Sequence, residues 1–243
     1  LHVLRSGLQR IRHYGLLANR TRDAKLERCR ELLGVAPPPA NEHDPDEDYR
    51  DRHLRLTWKA REMPPEIALV AVGGYGRGQL YPHSDVDILI LLPAAPEAAL
   101  REKLELLVGT FWDVGLDAGH SVRTLDECFE VAAGDVTIQT NLLESRLISG
   151  NRELYRRFTR KLQQSIDPAA FLRAKRLEQQ QRHLRHQETN LEPNLKESAG
   201  GLRDLNTILW ISRAAGLGRT WLELARRGFI TRDEARAIGR HER

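Results

Sequence analysis

Val72-Gly73-Gly74-Tyr75-Gly76-Arg77-Gly78-Gln79-Leu80-Tyr81-Pro82-His83-Ser84-Asp85-Val86-Asp87-Ile88-Leu89-Ile90-Leu91 is the stretch on which the reading of this chain turns. It joins two short apolar runs, residues 67–72 and 86–92, whose length and glycine punctuation are those of strands. The second run is so continuously apolar that burial on both faces is expected. Alternate side chains of a strand share a face, so Asp85 and Asp87 converge while Val86, Ile88 and Ile90 point the other way. Two carboxylates in one small volume repel each other unless a cation lies between them. Hard oxygen ligands suit Mg²⁺, which takes one or two carboxylates together with phosphate oxygens. Gly73 and Gly74 carry no Cβ and let backbone N–H groups come close to a triphosphate. Arg77 and Ser84 add further phosphate donors. The pattern predicts a metal–nucleotide site, with Asp85 and Asp87 as metal-binding and catalytic carboxylates and Gly73, Gly74, Arg77 and Ser84 as nucleotide contacts.

Either half of the pattern alone says little, since Asp-x-Asp is commonly a solvated turn and a glycine cluster commonly a tight one. Joined by the spacer of residues 75–84 and flanked by two apolar strands, they support each other. Other glycine loops fail on spacing. A dinucleotide fingerprint needs Gly-x-Gly-x-x-Gly, but Gln79 follows Gly74 and Gly76, and Tyr81 follows Gly76 and Gly78. No Gly-Lys-Ser or Gly-Lys-Thr is present either.

Beyond this stretch, Leu100, Leu104, Leu107 and Phe111 recur at helical spacing across residues 95–114, and a third short strand is expected near 118–123. After about Pro168 strand signals give way to polar helices over 171–188 and 202–215, a shorter one at 222–227 and another after Thr231. The chain therefore reads as an α+β unit followed by an all-α unit. On the second unit Arg173, Lys175, Arg176, Arg182 and Arg185 make a basic helix whose default reading is a solvated face.

The 243 residues are 40% apolar and 30% charged, the balance of a globular protein with a real core. No apolar run approaches a membrane span and no secretory leader is visible, so membrane and secreted classes are disfavoured and a cytoplasmic setting is expected. Cys29 and Cys128 stand apart, without the spacing of a disulfide framework or a zinc site. A net charge of +4 from 38 basic and 34 acidic residues is too small to announce nucleic-acid binding. Residues 1–34 hold eight Lys or Arg against three acids. Residues 36–52, with Glu42, Asp44, Asp46, Glu47, Asp48 and Asp51 after three prolines, read as an exposed linker. Because the chain opens on Leu1 and its only methionine is Met63, a piece of a longer reading frame is expected.

The glycine pair followed by Asp-x-Asp resembles the polymerase-β-like nucleotidyltransferases, and residues 73–91 are similar to the uridylyltransferases that modify the nitrogen regulatory PII protein. The likeness extends over about residues 58–243. It includes Trp112-Asp113-Val114-Gly115-Leu116, Gly119-His120-Ser121-Val122-Arg123-Thr124, Thr140-Asn141-Leu142-Leu143-Glu144-Ser145-Arg146 and the run from Asn190 through Pro193 and Gly200-Gly201 to Asp204. Gln79 departs from the acidic residue usual there.

The resemblance implies a mixed-sheet α+β nucleotidyltransferase domain over 58–167, a truncated helical domain over 168–243, and Mg²⁺. It further implies attack by a PII tyrosine hydroxyl on the α-phosphate of UTP, with loss of pyrophosphate. A third carboxylate is implied, for which Asp117, Asp135 and Glu144 stay open. His120 reads as a substrate contact or a hydrogen-bonded structural histidine. The HD hydrolase and glutamine-sensing ACT domains of the family are expected to be missing.

Residues 1–57 instead resemble the end of IS91-type transposases, with a junction near Thr57 and no catalytic residue to carry over. This segment is expected to be helical or partly disordered and removable without loss of stability. Rival readings are adenylyl transfer to glutamine synthetase, and an inactive fusion whose basic N-terminus binds DNA.

Overall fold

The sheet is built from four short segments, the central two of which bury both their faces. A computed structural model describes residues 48–78, 85–113, 116, 118–187 and 194–241. The basic segment 1–34, most of the acidic linker, Gln79, Ser84 and Asp117 lie outside them. In chain order the elements are α1 (Tyr49–Ala60), β1 (Ala68–Ala71), the single turn α2 (Gly73–Gly76), β2 (Val86–Leu92), α3 (Ala98–Asp113) and β3 (Ala118–Thr124). Then come α4 (Leu125–Gly134), α5 (Val136–Leu143), β4 (Arg146–Gly150), α6 (Arg152–Ser165), α7 (Pro168–Gln187), α8 (Leu202–Ala214), α9 (Trp221–Arg226) and α10 (Arg232–His241).

The strand order is β3-β2-β1-β4. β1 is antiparallel to β2 and β4, whereas β2 and β3 run parallel through the α3 crossover, so the sheet is mixed as the resemblance implied. Alternation along the strands sorts the core into two layers. Leu69, Ala71, Val86, Ile88 and Ile90 pack with Leu54 and Trp58 of α1 and Leu104, Leu107 and Phe111 of α3. On the other face Val70, Leu89 and Leu91 pack with Cys128 of α4, Leu142 of α5 and Phe158 of α6. That second layer continues to Phe171 of α7 and Trp210 and Ala214 of α8, so residues beyond 168 share the core of the sheet. α9 and α10 build a small cluster of their own with Leu209, Trp221, Leu224 and Ala235.

Three expectations need correction. Residues 1–57 are not a segment that can be removed without loss of stability, because residues 49–57 belong to α1, whose Leu54 is buried in the core of the sheet. The exposed linker does not reach Arg52, because Tyr49 already opens α1 and Asp51, Leu54, Thr57 and Trp58 are buried. Acidity there signals a partner rather than solvation: the Asp51 carboxylate takes two hydrogen bonds from the Arg146 guanidinium, at 2.5 and 3.1 Å, and another from the Tyr75 hydroxyl. Nor is the basic stretch of α7 one solvated face. Lys175 and Arg182 lie seven residues apart on its inner side and are buried, while Arg173, Arg176 and Arg185 are exposed. Lys175 Nζ sits 2.7 Å from Glu178 and 4.7 Å from the centre of the Trp210 ring, and Arg182 pairs with Asp204. No helix among the described residues is long and apolar enough to cross a membrane.

Leu54 is fully buried between α1 and the sheet. Leu54→Ala is expected to cost about 2–5 kcal/mol of stability in denaturant unfolding, the usual range for a truncated core leucine. A change within about 0.5 kcal/mol, as at a surface position, would show that α1 is not part of the folded core.

Candidate active site

The connection from β1 to β2 is tied at its root. The Val72 N–H donates to the Asp87 carbonyl at 3.0 Å, and the chain then turns through α2, with Gly76 N–H bonded to the Val72 carbonyl and Arg77 N–H to that of Gly73. Gly73 takes φ +57°, in the left-handed region that glycine enters without a Cβ clash. A Cβ there would lie 3.6 Å from Asp87 Oδ2 and 3.5 Å from Asn141 Oδ1. The glycine turn, the β2 carboxylate and the α5 amide thus meet at one point.

Asp87 shares the strand face of Leu89 and Leu91, toward α5, and opposite it in the parallel register stands Gly119. A Cβ on Gly119 would come 2.6 Å from Asp87 Oδ1, closer than a side-chain carbon and a carboxylate oxygen can approach. Glycine at 119 therefore leaves the space that the carboxylate occupies. Partial burial, and then the negative charge of Asp85, hold the Asp87 pKa above the ordinary carboxylate value. Asp85 itself is exposed, immediately before β2. Asp87 opens into a cleft of about 280 Å³ lined also by Gly119, His120, Ser121, Arg123 and Asn141. His120 is exposed and its ring meets Trp112 edge-on at 5.8 Å.

Arg77 points into the protein. Its guanidinium pairs with the carboxylate of Glu144, which is 3% exposed and also accepts a hydrogen bond from the Trp210 indole N–H. Arg213 adds a second guanidinium 3.9 Å from the same carboxylate. Burial pushes the Glu144 pKa up by more than Arg77, Trp210 and Arg213 pull it down. Asp135 is the N-cap of α5, accepting from the Thr137 and Ile138 N–H groups at 2.7 and 3.4 Å, and its pKa is lowered chiefly by the first of these bonds. Among the described residues no three His, Cys, Asp or Glu side chains converge as a metal cluster. The structure thus brings together Gly73, Asp87 and Asn141, and places Arg77 and Glu144 in a pair of their own.

Residues 55–140, which contain the glycine turn, Asp85, Asp87 and β3, match the family model described as a nucleotidyltransferase domain. The α+β part has the nucleotidyltransferase fold. Residues 170–243 match a second model, described as GlnD PII-uridylyltransferase. The chain is similar to the bifunctional uridylyltransferase/uridylyl-removing enzyme of Chromobacterium violaceum, with 58% identity over 194 residues, 79% of this chain and 23% of that protein. The enzymes of the same name from Nitrosospira multiformis and Cupriavidus pinatubonensis are 54% and 53% identical, again over 79% of this chain and 22% of theirs. The chain spans less than a quarter of the length of these curated relatives.

Gly119, Arg123 and Asn141 line the cleft beside Asp87, and reading the motif alone passes over them. Gly119 carries a signal, a glycine in the middle of a strand, which often marks a close approach of something else. Asn141 carries none, because its place beside Gly73 depends on how α5 docks.

Gly119→Ala is expected to displace the Asp87 carboxylate and weaken divalent-cation binding about tenfold or more, equivalent to about 1.4 kcal/mol, with the fold retained. Gly109→Ala, where a Cβ meets nothing within 4 Å, serves as the control and should bind as wild type. Equal cation affinity in the two variants, read by Mn²⁺ titration, would remove Gly119 from the site.

Proposed function

We propose that this chain carries the uridylyltransferase part of a PII-modifying enzyme: it transfers UMP from UTP to a tyrosine hydroxyl of the PII protein and releases pyrophosphate. The observation that carries the reading is the setting of Asp87. Its carboxylate sits in a cleft against a left-handed glycine turn, and its pKa is held up by burial and by Asp85, so a cation would relieve both strains. The names of the relatives supply the nucleotide and the acceptor.

Asp85 and Asp87 offer hard oxygen donors that fit Mg²⁺. When bound, the ion neutralises phosphate charge and favours in-line displacement at phosphorus. The chain's own residues do the positioning. Gly73 and Gly74 leave room for the phosphate chain to approach the backbone, and Ser84 and Arg123 are the donors assigned to its oxygens. Arg77 acts differently from a free phosphate donor in this reading: its pair with Glu144 fixes the C-terminal end of the glycine turn. Asn141 orders the Asp87 side of the cleft.

Of the three candidates for a further carboxylate, Asp135 is engaged as a helix cap and Glu144 by two guanidiniums and an indole. We therefore assign to Asp117 the role of drawing the proton from the attacking tyrosine; it stands two residues before Gly119 in the chain. Residues 58–167 are the proposed catalytic domain, with α1 as its support, and 168–243 the helical domain. The transposase-like character of the N-terminal segment and a cytoplasmic setting complete the reading.

Asp85→Asn and Asp87→Asn are each expected to lower label transfer from UTP to PII below about one hundredth of wild type, with unchanged circular dichroism. Wild-type rates in either variant would refute the site. Transfer from ATP to glutamine synthetase, run in parallel, would reassign nucleotide and acceptor together.

A further inference from the structure

Between α6, the end of α8 and the segment leading into α9 lies a cavity of about 500 Å³. Five arginines line it, Arg156, Arg160, Arg213, Arg219 and Arg227, the last of which also donates to the Gly216 carbonyl at 3.0 Å, and Glu223 is the single acidic residue among the lining residues described. That carboxylate is already engaged, accepting the Arg219 backbone N–H at 2.6 Å. At the edges, Glu153 lies 3.7 Å from Arg156 and the buried Glu144 lies 3.9 Å from Arg213. Positive charge therefore exceeds negative charge around a concave surface, an arrangement that favours an anion there.

One of the five groups is incompletely satisfied. Arg213 is mostly buried, its two terminal nitrogens donate to the Leu143 and Arg219 carbonyls at 3.5 and 3.2 Å, and its Nε is buried with no hydrogen-bond partner. Burial and the charges of Arg219 and Arg77 lower its pKa, with Glu144 acting in the opposite sense. The nature of the wall limits the ligand. Leu143 is the one large aliphatic side chain lining the cavity and no aromatic ring among the described residues faces it, so there is no platform for a base or another flat apolar group. Planar guanidinium forks match the oxygens of phosphate, bidentately where two nitrogens reach one group.

We propose that this arginine-lined cavity binds a small phosphate-dense anion, recognised through its phosphate oxygens. The source is a free inorganic polyphosphate or the phosphate chain of a nucleotide. The site is separate from the Asp87 cleft: the two cavities have no lining residue in common. It stands whether or not uridylyl transfer is the chain's activity.

Binding of inorganic tripolyphosphate to the full chain, measured by calorimetry at low ionic strength with EDTA present to silence any metal-dependent nucleotide site, tests the proposal. The expected result is a dissociation constant below about 1 mM. Arg160→Gln and Arg219→Gln alter side chains at the rim, and each should weaken binding about tenfold, the loss of one charge-assisted contact. Asp87→Asn should bind as wild type. UTP and ATP binding no tighter than tripolyphosphate would support the inorganic source, and clearly tighter binding of either would support a nucleotide. No binding at about 1 mM, binding untouched by both arginine variants, or binding lost in Asp87→Asn would overturn the proposal.

Discussion

The nucleotidyltransferase fold of this chain depends on how a four-residue turn is held. α2 is too short and too rich in glycine to hold its own shape, since glycine loses the most backbone freedom on ordering and a single helical turn gains few hydrogen bonds. Two buried carboxylates hold it from either side. Asp51 of α1 takes the Tyr75 hydroxyl and the Arg146 guanidinium, and Glu144, which follows α5, takes Arg77 and the Trp210 indole. Burying a carboxylate is costly, and removing one partner of such a pair leaves the other charge stranded, at about 3–5 kcal/mol. These contacts demand fixed geometry, which apolar packing alone would impose less strictly on so small a turn. The position of the turn then sets where Gly73 faces Asp87.

The same pairs explain why the helical part shares a core with the sheet. Trp210 of α8 donates to Glu144 while its ring lies near the charges of Arg77, Lys175 and Arg203 at 6.0, 4.7 and 5.8 Å. Asp204, at the start of α8, binds back to α7 through Gln179 and His183 at 2.9 Å and caps the turn at Gly200 at 2.8 Å. Although burial works against it, these bonds keep the Asp204 pKa low. Residues 194–204, part of the stretch that resembles the uridylyltransferases, thus serve the architecture by bringing α8 to the place where Trp210 can reach Glu144.

How much of this is legible in the sequence follows from range. The alternation that puts Asp87 on the face of Leu89 and Leu91 is local, and β2 has the bounds its apolar run predicts. β4 leaves little trace because Arg146–Gly150 is short and carries a charge at one end and a glycine at the other. The Arg77–Glu144 pair joins residues 67 apart, and each looks like a ligand when read alone. Asp51 looks solvated for the same reason: its partner Arg146 is 95 residues away. Lys175 and Arg182 read as exposed when charge is weighed above position, although their spacing puts them on the inner side of α7 with Phe171. What composition conveys is the sign of a group, and burial depends on whether the fold supplies the opposite sign.

Crystals grown with Mn²⁺ and a UTP analogue that cannot be cleaved at the α-phosphate, examined for anomalous scattering from the metal, test the central claim most directly. The anomalous peak is expected at Asp85 and Asp87, with the phosphate chain running along Gly73 and Gly74. A metal peak away from both carboxylates, or a nucleotide seated only in the arginine-lined cavity, would contradict it.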